Sequence, residues 1–354
     1  MSKVLFYDPL CQHPYDTGTL HSRALGGTEA TLVRVADALG AWVMQHNRTQ
    51  DSQRYLAPQR LPGISHVIVN RDSRALPFVQ QHYPDARVYL WLHDRFNPRG
   101  RRARWLAGTA PLLRARGVTV VCVSNWQRGG VEATLRSIGV ADAVRALTIY
   151  NPVDDALQPD GTAVDPGKLV FFSSPNKGLQ FALDAFRQMR RALPQLRFTV
   201  ANPGYKPLGP LAEPGVAVLG AVPQLRVLAE VRGALCTFAP NFLIPETFGL
   251  VFAESHALGT PVLTYDCGAA SEIVADSAQL MPVTRAVRCY EAVAGQLPAR
   301  WRAGPARLAG AAGLFDDCIE RIREWRRGGR PRAAPDARFR LSAVREQWLR
   351  LLRS

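Results

Sequence analysis

Pro245-Glu-Thr-Phe-Gly-Leu-Val-Phe-Ala-Glu254 places two glutamates eight residues apart around a small-residue turn that opens an apolar helix. Paired carboxylates first suggest glycoside hydrolysis. If the whole segment were helical, eight residues at ~1.5 Å each would set the carboxylates ~12 Å apart, beyond the ~5–9.5 Å that hydrolysis uses. The pair can instead grip two ends of an extended ligand, while the amides of Phe248, Gly249 and Leu250 at the helix start hold an anion between them. Hydroxyls, diphosphate and ribose diol, the layout of a nucleotide-sugar, meet that requirement. The blander alternative makes Glu246 a helix-start acid and Glu254 a solvated residue. Against it, Leu250, Val251, Phe252, Ala257 and Leu258 flank Glu254 with apolar surface, which predicts an enclosed helix. Enclosed carboxylates need partners.

Outward from this segment, short β-branched or aromatic runs alternate with helical patterns, the mark of βα units on parallel sheets. Strands are predicted at Val4–Tyr7, His66–Val69, Val88–Trp91, Val118–Val123 and Leu147–Ile149, then at Leu169–Phe172, Phe198–Ala201, Ala234–Phe238 and Pro261–Thr264. Apolar residues three and four apart predict helices through Leu32, Val35, Ala36 and Leu39, and through Leu179, Ala182, Leu183, Phe186 and Met189. Asn151–Gly167, rich in Asp, Pro and Gly, reads as a linker between two α/β domains, 1–155 and 156–335. Arg326–Ala337 reads as a loop. After it, Leu341, Val344, Trp348 and Leu351 form one stripe of a terminal helix, 336–354, which needs something to pack on and is expected to return to the first domain.

A chain of 354 residues with 47% hydrophobic residues can fill two cores of ordinary size. The first residues lack the basic-then-apolar pattern of a leader, and no run approaches the ~18 apolar residues of a membrane span. The six cysteines (11, 122, 236, 267, 289 and 318) form no CxxC, so neither a disulfide framework nor a zinc site is suggested and a reducing cytoplasm is expected. The net charge of +15 invites a nucleic-acid reading, yet lysine occurs only at 3, 168, 177 and 206, and an arginine excess of this kind reflects base composition as readily as a selected surface. An anionic membrane surface or a phosphorylated substrate fits the same charge. The nearest approach to aromatics interleaved with arginine is Arg95–Trp105, which is equally an acceptor-facing or membrane-facing loop. The adjacent Asp154 and Asp155 read as solvated turn residues with no third metal ligand evident in the sequence, so no metal is proposed.

The 245–254 segment, followed by Gly259-Thr-Pro-Val-Leu263 and Gly268-Ala-Ala-Ser-Glu-Ile-Val274, resembles the retaining family-4 glycosyltransferases of the GT-B fold (glycosyltransferases group 1). That fold comprises two Rossmann-like α/β domains facing across a crevice, here with the terminal helix packing back. The resemblance implies that Glu246 binds donor-sugar hydroxyls, the Phe248, Gly249 and Leu250 amides the distal phosphate and sugar, and Glu254 the ribose. Ser173-Ser-Pro-Asn-Lys-Gly178 is a second match: a lysine at a helix start after a strand makes an anion pocket. The family's usual arginine at this strand end is absent, with Phe172 and Ser173 in its place, so Lys177 alone carries over. Gly26-Gly-Thr-Glu29 resembles the family's glycine-rich loop, with Gly26 and Gly27 near phosphate. The segment after Tyr7 lacks the G-x-G-x-x-G of a dinucleotide-binding dehydrogenase. His93, closing the run Val88–Leu92, resembles the strand-end histidine beside the transferred sugar. Val123-Ser-Asn-Trp126 and Ile149–Asp154 resemble architectural segments, and Gly220-Ala-Val-Pro223 one that passes main chain along the base.

By this resemblance His93, Glu246 and Lys177 form the catalytic set, and Gly26, Gly27, Lys177, Glu246, Phe248, Gly249, Leu250 and Glu254 bind the donor, with no cofactor and no metal. The implied reaction moves a sugar from a UDP- or GDP-linked nucleotide-sugar to a glycan or lipid-linked acceptor with retention, the leaving diphosphate taking the acceptor proton. Alternatives of the same fold are a nucleotide-sugar epimerase or hydrolase and a non-catalytic partner subunit. The expected location is cytoplasmic, peripheral on the inner membrane face if Arg95, Arg99, Arg101, Arg102, Arg104, Arg114 and Arg116 dock on an anionic leaflet with Trp105, Leu106, Leu112 and Leu113 entering it.

Overall fold

A computed structural model of the chain describes residues 3–96, 99–202, 211–294 and 303–354. It divides into two compact units. The first comprises residues 1–20, 27–155 and 337–354, and the second 21–26 and 156–336.

The first unit is built on seven parallel strands: β1 (Lys3–Asp8), β2 (Trp42–Gln45), β3 (Tyr55–Leu56), β4 (Ile64–Asn70), β5 (Arg87–Leu92), β6 (Thr119–Cys122) and β7 (Ala146–Thr148), in the order β3-β2-β1-β4-β5-β6-β7. Order reverses between β1 and β4, and the carboxyl edge beside such a reversal is where open α/β sheets bind ligands. A parallel sheet must be covered on both faces, and side chains alternate between them. Leu5, Tyr7, Leu90 and Leu92 enter one core with Val67, Val69, Leu106 and Leu113. Phe6 and Trp91 point to the other face, where Trp348 of the terminal helix Leu341–Arg353 meets them edge-on with ring centroids 5.9 and 5.1 Å away. Val344, Trp348, Leu351 and Leu352 are the buried stripe of that helix, which packs on the helix Gly27–Leu39.

The second unit carries six parallel strands: β8 (Asp165–Phe171), β9 (Arg197–Ala201), β10 (Val216–Gly220), β11 (Ala234–Phe238), β12 (Val262–Tyr265) and β13 (Leu280–Met281), in the order β10-β9-β8-β11-β12-β13. The apolar run of β8 is buried on both faces, as a central parallel strand requires. The helix Leu179–Ala192 lays Phe181, Ala182, Ala185, Phe186 and Met189 against Phe198, Phe238 and Leu263.

Sequence expectation and structure part at particular places. β2, β3, β10 and β13 escaped the reading, being short or, in β10, partly exposed. Asp165, Pro166 and Gly167, read as linker, begin β8, because Lys168 and Leu169 pair with Arg197 and Phe198. Arg326, Arg327 and Gly328, read as loop, complete the helix Asp316–Gly328, where basic residues favour the carboxyl end of the helix dipole.

Candidate functional site

In the second unit, three strand ends supply one constellation. β8 runs into the buried Ser173 and Ser174, and the Lys177 amide donates to the Ser174 carbonyl at 2.8 Å, closing the turn that precedes the helix Leu179–Ala192. After β11, Asn241 braces its loop, its Nδ2 donating to the Ile244 carbonyl at 2.6 Å. The chain then presents Glu246, which forms a single parallel bridge with Gly268 beyond β12 and accepts from the Ala269 amide at 2.9 Å. Lys177 Nζ donates to Glu246 Oε2 at 2.8 Å, with the side chains 29% and 11% exposed.

Two glycines make this path possible. Gly268 has φ +72°, and a Cβ there would lie 2.5 Å from the Glu246 carbonyl oxygen, so only glycine lets the segments touch. Gly249 has φ +91° and precedes the helix Leu250–Ala257, and a Cβ there would strike the Phe252 ring at 2.5 Å. The 245–254 segment is therefore not helical throughout. Glu246 lies before the helix, while Gly249 caps it, Leu250 starts it and Phe248 packs beneath. Glu254 is 3% exposed, so the enclosure expected of its helix is present, and its Oε1 accepts from Gln224 Nε2 at 2.5 Å. Gln224, the first residue of the helix Gln224–Arg232, was missed. Its placement after the Gly220–Pro223 turn was the available signal.

In the first unit the carboxyl edge carries Asp8 at the end of β1, Asn70 and Arg71 at the end of β4, and His93 with Asp94 after β5. His93 is 7% exposed and its ring lies 4.4 Å from that of Trp91. Burial, with the positive charges of Arg71 and Arg102 added to it, pushes the imidazole down to about 3 despite Asp94. Asp94 accepts from Arg71 Nε at 2.9 Å and meets Arg102 Nη2 at 2.7 Å. Burial pushes the Asp94 carboxyl up, but the two guanidiniums outweigh it and hold the group below its ordinary value. Arg71 also reaches Glu29, 3.8 Å away in the first turn of Gly27–Leu39. Burial raises both Glu29 and Asp8, the latter accepting from the Tyr15 hydroxyl at 2.6 Å. Sequence reasoning missed Arg71 and Asp8, although both stand at the strand-end position that singled out His93.

Lys177, Glu246, Phe248, Gly249, Leu250 and Glu254 thus belong to one unit and His93 to the other. Gly26 closes the short segment 21–26 grouped with the second unit, and Gly27 opens a helix of the first.

The basic segment expected to meet a membrane has other engagements. Leu106 and Leu113 are fully buried in the core, and Leu112 packs against it. Arg74 stacks on Trp105 with its guanidinium 3.6 Å from the ring centroid, and Arg101 lies 4.8 Å from it. Arg102 is paired with Asp94, and Arg116 caps the Tyr83, Pro84 and Ala86 carbonyls. The leucines at 106 and 113 therefore cannot be the inserting residues, because they hold the unit together. Residues 97 and 98 of this segment lie outside the described residues. Among the described residues no helix is long and apolar enough to cross a membrane, and no three His, Cys, Asp or Glu side chains converge as metal ligands.

Residues 166–295 match the family Glycosyl transferases group 1. Phosphatidyl-myo-inositol mannosyltransferase of Mycobacterium leprae (strain TN) is 28% identical over 168 residues, which cover 41% of this chain and 44% of that protein. The matched stretch spans less than half of that curated relative's length. Among solved structures, Anabaena HepE in complex with UDP and glucose aligns over 100% of both chains at 17% identity with a TM-score of 0.63. Sucrose-phosphate synthase from Thermosynechococcus elongatus aligns over 99% of this chain and 98% of its own at 16% identity, with a TM-score of 0.62. The fold is GT-B, its two parallel-sheet α/β units having seven and six strands.

Proposed function

We propose that this chain, whose residues 166–295 match Glycosyl transferases group 1, moves a sugar from a UDP- or GDP-linked donor to a glycan or lipid-linked acceptor with retention of anomeric configuration. The observation that carries the reading is the meeting of Lys177 with Glu246 in the unit that also encloses Glu254. A cation, a half-buried carboxylate, the amino end of the helix Leu250–Ala257 and a second carboxylate together match a diphosphate flanked by two polyols.

In this reading Lys177 and the first-turn amides stabilise charge on the departing diphosphate, Glu246 holds donor-sugar hydroxyls, and Glu254 takes the ribose. The leaving phosphate accepts the acceptor proton as the new glycosidic bond forms on the same face of the sugar. His93, kept neutral, offers a hydrogen bond to the sugar without placing a second cation beside the developing oxocarbenium ion. Gly26 and Gly27 lie along the phosphates, and the reaction uses no cofactor. The anionic-leaflet reading loses Leu106 and Leu113 and keeps its electrostatic part, through arginines such as Arg95, Arg99 and Arg104. The associated location is the cytoplasmic face.

A thermal-shift screen of UDP- and GDP-sugars, followed by turnover of the stabilising donor with and without acceptor glycans, tests the proposal. A ligand at 100 times its Kd adds about 2.7 kcal/mol, enough to single out the donor. Acceptor-dependent release of UDP or GDP with an α-linked donor giving an α-linked product is the expected outcome. Release without acceptor would favour hydrolysis or epimerisation, and stabilisation by no nucleotide-sugar would leave a non-catalytic subunit.

A further inference from the structure

We infer that Arg71 is a positioning residue for His93, clamping the end of β5 on both sides of the imidazole. Trp91, two residues before His93, and Asp94, just after it, are both bound by Arg71. The Arg71 amide donates to the Trp91 carbonyl at 2.8 Å, continuing the β4–β5 ladder one residue beyond Asn70 paired with Trp91. Its guanidinium then reaches across to Asp94, Nε to Oδ2 at 2.9 Å and Nη2 to Oδ1 at 3.4 Å. His93 sits between these two anchors.

Backbone geometry marks Arg71 independently. Its φ is +67°, in the left-handed region that favours glycine. An arginine held there costs conformational free energy that the surrounding contacts must offset, which ties the residue to its side chain's bonds. A fork of donors suits a carboxylate in two-point contact, which glycine cannot make and lysine makes only as a point charge.

The clamp has an outer support. Gln127 Nε2 donates to the Asp94 carbonyl at 2.8 Å, while its Oε1 accepts from the Val123 amide, tying the segment to the end of β6. Arg102 from the helix Arg101–Gly108 meets the same Asp94 carboxylate, and Glu29 faces Arg71 from the helix Gly27–Leu39. Arg71, Asp94 and Arg102 are the charged groups acting on the imidazole, and Asp94, Glu29 and Asp8 in turn act on Arg71. Burial first, then the Arg71 and Arg102 guanidiniums, oppose protonation of the imidazole while Asp94 favours it, so Arg71 both places His93 and adds to what keeps it neutral.

The consequence for catalysis rests on the glycosyl-transfer reading, whereas the consequence for the imidazole does not. The test uses the full chain with 15N-labelled histidine in wild type and in the Arg71→Gly and Arg71→Lys variants. Arg71→Gly suits the local φ, so loss of fold is not its expected effect. Its His93 signal should take up a proton at a higher pH than in wild type, since one opposing guanidinium is gone. Donor kcat should fall about tenfold to a hundredfold with KM within about threefold, because a misplaced group costs turnover more than ground-state binding. Arg71→Lys should fall between. Asp94→Asn removes the other end of the clamp together with the carboxylate that favours the imidazolium, so His93 should stay neutral while its ring 15N shifts move from their wild-type values.

An unchanged His93 titration in Arg71→Gly together with unchanged His93 ring shifts in Asp94→Asn overturns the clamp, whatever the kinetics show. Wild-type protein that turns over no nucleotide-sugar sinks the glycosyl-transfer reading instead, and the histidine spectra still judge Arg71.

Discussion

Lys177 and Glu246, 69 residues apart in sequence, meet with Nζ 2.8 Å from Oε2. The pair is only partly enclosed, and partly exposed ion pairs contribute on the order of 1 kcal/mol or less. The same two groups are assigned opposite ends of the reaction, Lys177 the diphosphate and Glu246 the sugar. A double-mutant cycle with Lys177→Met and Glu246→Gln should therefore give a stability coupling of about 1 kcal/mol or less in urea melts. Turnover should fall about a hundredfold or more in each single variant. A large stability loss with turnover within about twofold of wild type would make the pair a structural tie.

Gly268→Ala tests the support beneath Glu246. The new Cβ would face the Glu246 carbonyl oxygen at 2.5 Å from a backbone with φ +72°, and the obstruction is main chain, which cannot rotate away. Clash and strain together should cost about 2–4 kcal/mol in stability. Donor turnover should drop alongside, because the bridge that aims Glu246 is broken. A melting temperature within about 1 °C of wild type would show that the two segments separate without penalty.

The candidate constellation of the second unit was largely legible because the residues proposed for it lie in two short contiguous segments. Pro245–Glu254 and Ser173–Gly178 each hold their functional groups within ten residues, and a parallel sheet brings such strand-end segments together. The β8, β11 and β12 runs are apolar on both faces, which makes them readable. Arg71 was not legible, since nothing in Asn70-Arg-Asp-Ser73 signals a left-handed arginine facing a carboxylate that follows another strand. Leu106 and Leu113 misled for a related reason: apolar residues among arginines look alike whether a core or a leaflet covers them. Only tertiary packing decides between the two.

Glu254 and Gln224 should separate binding from chemistry. Glu254 is enclosed and its Oε1 is held by Gln224, so the carboxylate is aimed before any ligand arrives. If it grips the ribose equally in ground and transition states, Glu254→Gln should raise donor KM about tenfold with kcat within about threefold. Gln224→Ala should raise KM by a smaller factor, since it removes one hold on the carboxylate and leaves the carboxylate itself. A fall in kcat at unchanged KM would place Glu254 at the reacting centre.

Metal independence follows from the groups assigned to the diphosphate. In the proposed reading, Lys177 and the amino end of Leu250–Ala257 supply the positive charge for which enzymes acting on diphosphates often use Mg²⁺, and an octahedral Mg²⁺ site draws on carboxylates. Initial rates with excess EDTA should match untreated enzyme within about twofold. Complete loss that Mg²⁺ or Mn²⁺ restores would show that Lys177 and the helix amides do not suffice.

His93 should leave a signature in acid stability. The unfolded chain binds a proton on this imidazole near pH 6.5, whereas burial and the neighbouring guanidiniums hold the folded group down to about 3. Between those values the unfolded state carries more protons, so the contribution of His93 to stability is fully present above about pH 6.5 and declines as pH falls toward 3. The slope approaches about 1.4 kcal/mol per pH unit. Other groups titrate over the same range, so the comparison is with His93→Gln, which keeps a neutral polar side chain and no ionisation. Urea melts of both proteins at pH 7.5, 6 and 5 should show wild type losing about 2 kcal/mol relative to the variant by pH 5. Parallel stability curves across that range would mean that the folded protein accepts the proton as readily as the unfolded chain, and that His93 is neither dry nor held against the two arginines.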